Sequence, residues 1–181
     1  MTNKKSVCVF CGASNNVDKK FLEVGAAFGE ILAKKGVTLV YGGGDCGVMG
    51  AIANATMKHG GHVTGVFPVN LRHIENEHQN LTEIVIVDTM HERKQGMFDR
   101  ADAFIVFPGG FGTMDETFEI LTWKQLRLHH KPVVIFNYEK YWDPLMQLMK
   151  NIIDNKFAAP ETAGYYVMVE KLEAILEVLN F

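Results

Sequence analysis

Ala103-Phe104-Ile105-Val106-Phe107-Pro108-Gly109-Gly110-Phe111-Gly112-Thr113-Met114-Asp115-Glu116 contains one complete step of an α/β fold. Ala103 to Phe107 is an unbroken apolar run, as expected of a strand covered on both faces. The glycines that follow form a turn, and the spacing beyond it predicts a helix from about Met114 to about Leu128. A glycine-rich turn lets backbone N–H groups face an anion, and the helix N-terminus adds partial positive charge. Gly109, Gly110, Phe111, Gly112, Thr113, Met114 and Asp115 are therefore the candidate phosphate cradle. It lacks the Gly-Lys-Ser/Thr ending of a P-loop, which argues against a nucleoside triphosphatase. With no lysine and no obvious magnesium ligands, a monophosphate is the natural guest. Glu116 has two readings. Thr113-Met114-Asp115-Glu116 has the spacing of a capping box, which would make Glu116 a structural cap; the alternative is a carboxylate that works in the site.

Working outward, the same step repeats. Ser6 to Phe10, Val37 to Tyr41, His62 to Phe67, Ile84 to Val87 and Pro132 to Phe136 read as strands, with a short strand near Tyr166 to Val169. Helical spacing runs from Phe21 to a stop at Gly36, from Val48 to His59, onward from Thr89, and around Trp142 to Asn155 and Lys171 to Leu179. Thr89-Met90-His91-Glu92 fits a capping box. The expectation is a doubly wound, Rossmann-like α/β fold, a mostly parallel sheet with helices on both faces, forming one domain over 1–181. Pro68 to Leu81 has no clear period and reads as a long functional loop. Ligands of such sheets bind beyond the carboxyl ends of the strands. Gly12-Ala13-Ser14, Gly42 to Gly50, the start of the Pro68 loop, Pro108 to Thr113 and the start of the Thr89 helix should converge on one cleft.

Composition narrows the classes. Of 181 residues 48% are apolar and 22% charged, a globular profile. The net charge of −3, from 21 acids and 18 bases, gives no general electrostatic reason to bind nucleic acid or a membrane. The apolar run Val7 to Phe10 is too short for a secretory signal, and no stretch is long enough to span a bilayer, so the expected place is the cytoplasm. Cys8-Val9-Phe10-Cys11 spells C-x-x-C. Side chains three apart on a strand point to opposite faces, and no second cysteine pair completes a zinc site, so buried thiols are expected.

Gly42, Gly44 and Gly47 satisfy G-x-G-x-x-G between a strand and a helix, but the next strand ends in Phe67-Pro68, without the acid that would hold a dinucleotide ribose. Close approach to a smaller ligand, with Gly43 and Gly44 as contacts, or a merely tight turn are the remaining readings. On the Thr89 helix, Met90, Arg93, Lys94 and Met97 share one stripe. It suits a cleft wall meeting an apolar ring and an anion, or else a solvated charged face. The seven histidines show no H-E-x-x-H pattern, so no metal is expected. Ser14 lacks the G-x-S-x-G elbow of a serine hydrolase.

Met90-His91-Glu92-Arg93-Lys94, followed by Pro108-Gly109-Gly110-Phe111-Gly112-Thr113-Met114-Asp115-Glu116, resembles the paired M-x-x-R-K and P-G-G-x-G-T-x-x-E motifs of the LOG family. These are cytokinin riboside 5′-monophosphate phosphoribohydrolases, long labelled lysine decarboxylases. The resemblance extends through Cys11-Gly12-Ala13-Ser14, Tyr41-Gly42-Gly43-Gly44 and Thr122-Trp123. It implies hydrolysis of a nucleoside 5′-monophosphate to free base and ribose 5-phosphate, without a cofactor. By motif, Arg93 and Glu116 match the catalytic pair. Lys94 and Gly110 to Thr113 match nucleotide contacts, with Ser14, Met90, Thr122 and Glu75 as further candidates. The resemblance also implies a homodimer or larger homo-oligomer. Asn70-Leu71-Arg72-His73-Ile74-Glu75 departs from the plant wording, which leaves the preferred base open. Two other classes remain: a non-catalytic nucleotide or molybdenum-cofactor carrier of related fold, and a pyridoxal phosphate decarboxylase, for which no lysine has a fitting context.

Overall fold

The computed structural model describes residues 4–73 and 76–181. Seven strands form one sheet: β1 (Ser6–Phe10), β2 (Thr38–Tyr41), β3 (Val63–Pro68), β4 (Glu83–Val87), β5 (Ala103–Val106), β6 (Val133–Phe136) and β7 (Val167–Val169). Their order is β4-β3-β2-β1-β5-β6-β7, and every neighbouring pair is parallel. The expected mostly parallel sheet is thus wholly parallel among the described residues. The helices between the strands are α1 (Lys19–Lys35), α2 (Gly47–Lys58), α3 (Met90–Arg100), α4 (Phe111–Gln125), α5 (Asp143–Asp154) and α6 (Ala174–Glu177).

Alternation along the central strand divides the core in two. Val7 and Val9 join the cluster packed by α1, α2 and α6, whereas Cys8 and Phe10 join the one packed by α3, α4 and α5. A period of two sends successive side chains to opposite faces. Cys8 and Cys11 accordingly fall into different clusters, and both are free, buried thiols. Burial drives both thiols up from their ordinary range, so neither is poised as a thiolate. Among the described residues no helix is long and apolar enough to cross a membrane.

Several boundaries differ from expectation. The Lys171–Leu179 helix shrinks to α6. Within the Pro68–Leu81 stretch, Val69–His73 is a 3-10 turn and Glu77 forms an antiparallel bridge to Gly44. Residues 74 and 75, and with them the Glu75 contact, lie outside the described residues. The consequential shift is in α4, which starts at Phe111 rather than near Met114. Gly110 occupies the N-cap in an extended conformation without any side-chain cap. Thr113 is then inside the first turn and Glu116 in the second. The capping box read from Thr113-Met114-Asp115-Glu116 does not form, whereas the one at Thr89 does, with Thr89 and Glu92 each capping the other's backbone N–H.

The chain winds outward from β1 to β4, then returns to lay β5 on the other side of β1. The switch point therefore lies between β1 and β5. Beyond their ends, Gly12 N–H donates to Pro108 O at 3.1 Å and ties the two loops together. Connections leaving in opposite directions open a crevice here.

Candidate active site

The crevice is a cavity of about 460 Å³, the size of a small-molecule site. Of the five segments expected to converge, three meet in its walls: Gly12 to Ser14, the Pro108 turn except Phe111, and the start of α3 through Met90 and Arg93. The Gly42–Gly50 segment contributes only Val48 and Met49, and the described part of the Pro68 loop contributes nothing.

The two glycine clusters have different fates. At α2, Gly47 N–H donates to Asn15 Oδ1 at 2.8 Å, and Val48 and Met49 N–H both donate to Gly12 O. That helix start is already satisfied by protein. Gly43 O accepts from His78 N–H at 2.9 Å and Gly44 bridges Glu77, so the loop lies over both glycines. Neither lines the cavity, and both fall from the candidate contacts. At α4 the position is reversed. Among the described residues the N–H groups of Phe111, Gly112 and Thr113 have no acceptor; the first bond of the turn runs from Met114 N–H to Gly110 O at 3.1 Å. Gly110 and Gly112 have open space where a side chain would stand, and both border the cavity. Free N–H groups at the positive end of a helix, facing an open cleft, are an anion seat.

Gly109 is needed for a different reason. A Cβ there would lie 2.1 Å from Thr113 Oγ1 and 2.9 Å from Gly12 N, so the crossing of the two loops leaves room for hydrogen only. Tyr141 Oη closes the turn by donating to Gly109 O at 2.8 Å, and Phe21 packs edge-on against its ring. Tyr141 and Phe21 line the cavity, yet neither carries a local sequence signal, since a bulky aromatic ordinarily belongs to the core.

Arg93 projects from α3 toward the end of β2. It is buried, at 7% exposure, and its Nη2 donates to Gly42 O at 3.0 Å. A Cβ on Gly42 would stand 1.9 Å from that nitrogen, so the guanidinium occupies the space a side chain would take. Its Nη1 lies 4.0 Å from Met90 Sδ, and Nε is buried without a partner. Five guanidinium N–H donors meet a single oxygen acceptor, leaving donor capacity beside the cleft. The stripe is thus a cleft wall: Met90 and Arg93 line the cavity and Met97 is core, which overturns the solvated-face alternative at Arg93.

Glu116 opens onto the same cavity, half-buried, with protein around the rest of its carboxyl. Burial pushes its pKa up to about 7; Arg93 and Lys94 oppose the rise, and Asp115 and Glu119 add to it. A helix N-terminus and a nearby arginine alone would keep it fully charged at neutral pH, but desolvation outweighs them. No ion pair within 4.0 Å joins Glu116 to Arg93, both of which are described.

The remaining candidates separate cleanly. Ser14, Asp115 and Thr113 line the cavity. Lys94 does not; its Nζ is 3.2 Å from Asp115 Oδ2 and 2.9 Å from Glu119 Oε1. Phe111 is 88% exposed and outside the cavity wall, and Met114 packs into the core cluster under α4. Thr122 faces a second, smaller hollow of about 180 Å³ between α4 and α5. Among the described residues no His, Cys, Asp and Glu side chains group as metal ligands. The buried His78 is structural: its Nδ1 accepts from Asn80 N–H, and Nε2 lies 3.1 Å from Asn54 Oδ1.

A family model described as possible lysine decarboxylase matches residues 49–179. A cytokinin riboside 5′-monophosphate phosphoribohydrolase of Rhodococcoides fascians is 39% identical over 177 residues, covering 97% of this chain and 89% of its own. Another of that name from Arabidopsis thaliana is 39% identical over 176 residues, covering 97% and 81%. The molybdenum cofactor binding protein of Rippkaea orientalis superposes with a TM-score of 0.76 at 19% identity, over 99% of this chain and 98% of that one, a likeness of fold alone. Identity at the level of the two hydrolases across nearly the whole chain, with the paired motifs of α3 and α4 facing one cleft, makes this chain a member of the LOG family.

Proposed function

We propose that this protein hydrolyses the N-glycosidic bond of a nucleoside 5′-monophosphate, AMP or an N6-modified AMP of the cytokinin riboside monophosphate class. The products are the free base and ribose 5-phosphate. The observation that carries this reading is the meeting of three groups in one cavity: the unpaired N–H groups at the start of α4, the Glu116 carboxyl and the Arg93 guanidinium. The 5′-phosphate sits against Gly110, Gly112 and Thr113, where helix polarity and open N–H groups favour a dianion. Breaking the bond to the base builds positive charge on the ribose ring. Ionised Glu116 stabilises that charge in a site that water does not fully screen, and accepts the proton of the water that adds to the anomeric carbon. The base leaves with the bonding electron pair and takes up a proton. Arg93, held by Gly42 O, turns its remaining N–H groups to the bound nucleotide.

The likeness to a molybdenum cofactor protein is one of fold, and a carrier has no use for a carboxylate held in a desolvating cleft. Decarboxylation with pyridoxal phosphate needs a lysine to carry the cofactor, and among the described residues no lysine lines the cavity. The test is incubation with a panel of nucleoside 5′-monophosphates and the matching nucleosides, with released base measured by chromatography. Charge-assisted hydrogen bonds are worth roughly 1.5–3 kcal/mol each, so AMP-type substrates should react far faster than nucleosides. Equal rates on AMP and adenosine would remove the phosphate seat from the reading.

A further inference from the structure

Consecutive residues on α3 turn to different anchors. Arg93 faces the end of β2, where Gly42 O holds it. Lys94 reaches across to α4 and bridges Asp115 and Glu119. These two acids flank Glu116 on its own helix, one immediately before it and one a turn beyond. The Lys94 side chain is only 13% exposed, and the cavity wall does not include it. Among the described residues no other hydrogen bond or ion pair joins α3 to α4. Their other ties are apolar: Met97 and Phe98 share a core cluster with Met114 and Ile120, and Phe98 meets Trp123 edge-on at the ends of both helices away from the cleft. Nothing direct sets the separation of Arg93 and Glu116, which share no ion pair.

We propose that Lys94 is a positioning residue: it clamps α3 to α4 at the cleft and so fixes Arg93 and Glu116 against each other, rather than binding the substrate's phosphate. The inference rests on the reading of Arg93 and Glu116 as the groups that meet the substrate. It accounts for the adjacency of arginine and lysine on α3: one cation serves the cleft and the next holds the frame. The clamp has an electrostatic side. The groups facing Glu116 are Arg93 and Lys94 from α3, Asp115 and Glu119 from α4, and the neutral thiols of Cys8 on β1 and Cys11 just beyond it. Lys94 balances the two acids that would otherwise oppose ionisation of Glu116. A phosphate ligand, by contrast, would need Lys94 to leave two ion pairs already made.

The test uses Lys94→Met, Lys94→Arg and Glu119→Gln in the full chain. Glu119 is outside the cavity wall, so its replacement breaks the clamp without touching a substrate contact. Lys94→Met should lower kcat by roughly tenfold or more, the scale of a small misplacement of reacting groups. Glu119→Gln should lower kcat in the same direction, and Lys94→Arg should restore it. AMP affinity measured by calorimetry in the Glu116→Gln background, where turnover is suppressed, should be unchanged by Lys94→Met. Loss of AMP affinity by roughly tenfold or more, as for one lost charge-assisted hydrogen bond, with kcat kept at saturation, would make Lys94 a phosphate ligand and overturn the proposal. Should Lys94→Met fail to fold, Glu119→Gln with unchanged kcat overturns it equally. Should the parent release no base from any nucleotide, the hydrolase reading fails separately. The clamp is then decided by crystal structures of Lys94→Met and Glu119→Gln without ligand, in which the separation of Arg93 and Glu116 must differ from the parent's; an unchanged separation refutes the clamp.

Discussion

Replacing Glu116 by glutamine should make the protein more stable as well as less active, and the stability gain should grow with pH. The folded cleft raises this carboxyl from an ordinary 4.5 to about 7. A group raised in this way binds its proton more tightly in the folded state than in the unfolded one. The stabilisation from that proton is complete below about pH 4.5 and is lost as pH rises through about 7. Above that, the folded chain holds an ionised carboxylate that its surroundings disfavour. At about 1.36 kcal/mol per pH unit, the interval corresponds to an upper figure of about 3 kcal/mol, reduced by whatever water enters the half-open cleft. Glutamine is neutral throughout and escapes this loss. For a chain of this length, the gain amounts to a melting temperature above the parent's by at most roughly 6–12 °C at about pH 8.5, shrinking toward nothing near pH 5. Calorimetric melts of both proteins at the two pH values give the comparison, and groups common to both cancel. Glu116 does not cap α4, so no helix-start hydrogen bond is lost to confuse the result. Turnover should fall by roughly 10²-fold or more in the same variant. A melting difference that stays flat with pH, or a variant less stable than the parent at high pH, would refute the desolvated setting; parental turnover would refute the catalytic role.

The same carboxyl sets the acid side of the rate profile: kcat/KM should climb through about pH 7 as Glu116 ionises, and a profile flat from pH 5 to 8 would contradict that. Gly42→Ala puts a methyl 1.9 Å from Arg93 Nη2 and should expel the guanidinium, costing about 1–3 kcal/mol in a urea melt along with most of the turnover. Gly109→Ala and Gly112→Ala should separate scaffold from seat. The first collides with Thr113 and Gly12 and should lose about 1–3 kcal/mol of stability. The second has open space and should melt no lower than the parent, with a raised KM for AMP, because its methyl stands where the phosphate approaches.

Sequence alone determined the succession of strands and helices, the doubly covered sheet and the turn after Phe107, because apolar period and glycine position are local properties that survive in any compact arrangement of the chain. It also determined that Arg93 and Met90 share a helix face, and that Glu92, with Thr89, caps that helix. The Thr113–Glu116 box satisfied the same local rule and failed, because Gly110 can begin a helix without a capping side chain and Thr113 was already inside the first turn of α4. Which glycine cluster keeps free N–H groups was decided only by tertiary structure. The acceptors that satisfy α2 come from Gly12 and Asn15 on another loop, and the cover over Gly43 and Gly44 comes from residues 76–78. The meaning of Gly42 was likewise invisible, since its empty position is filled by an arginine 51 residues away. So was the setting of Glu116: a carboxyl's acidity depends on what surrounds it in space, and burial there overrides the two attractive charges that the sequence makes conspicuous. Lys94 was a candidate nucleotide contact by its place in the M-x-x-R-K motif; the acids it pairs with lie on the next helix, and only the packing of α3 against α4 brings them within reach.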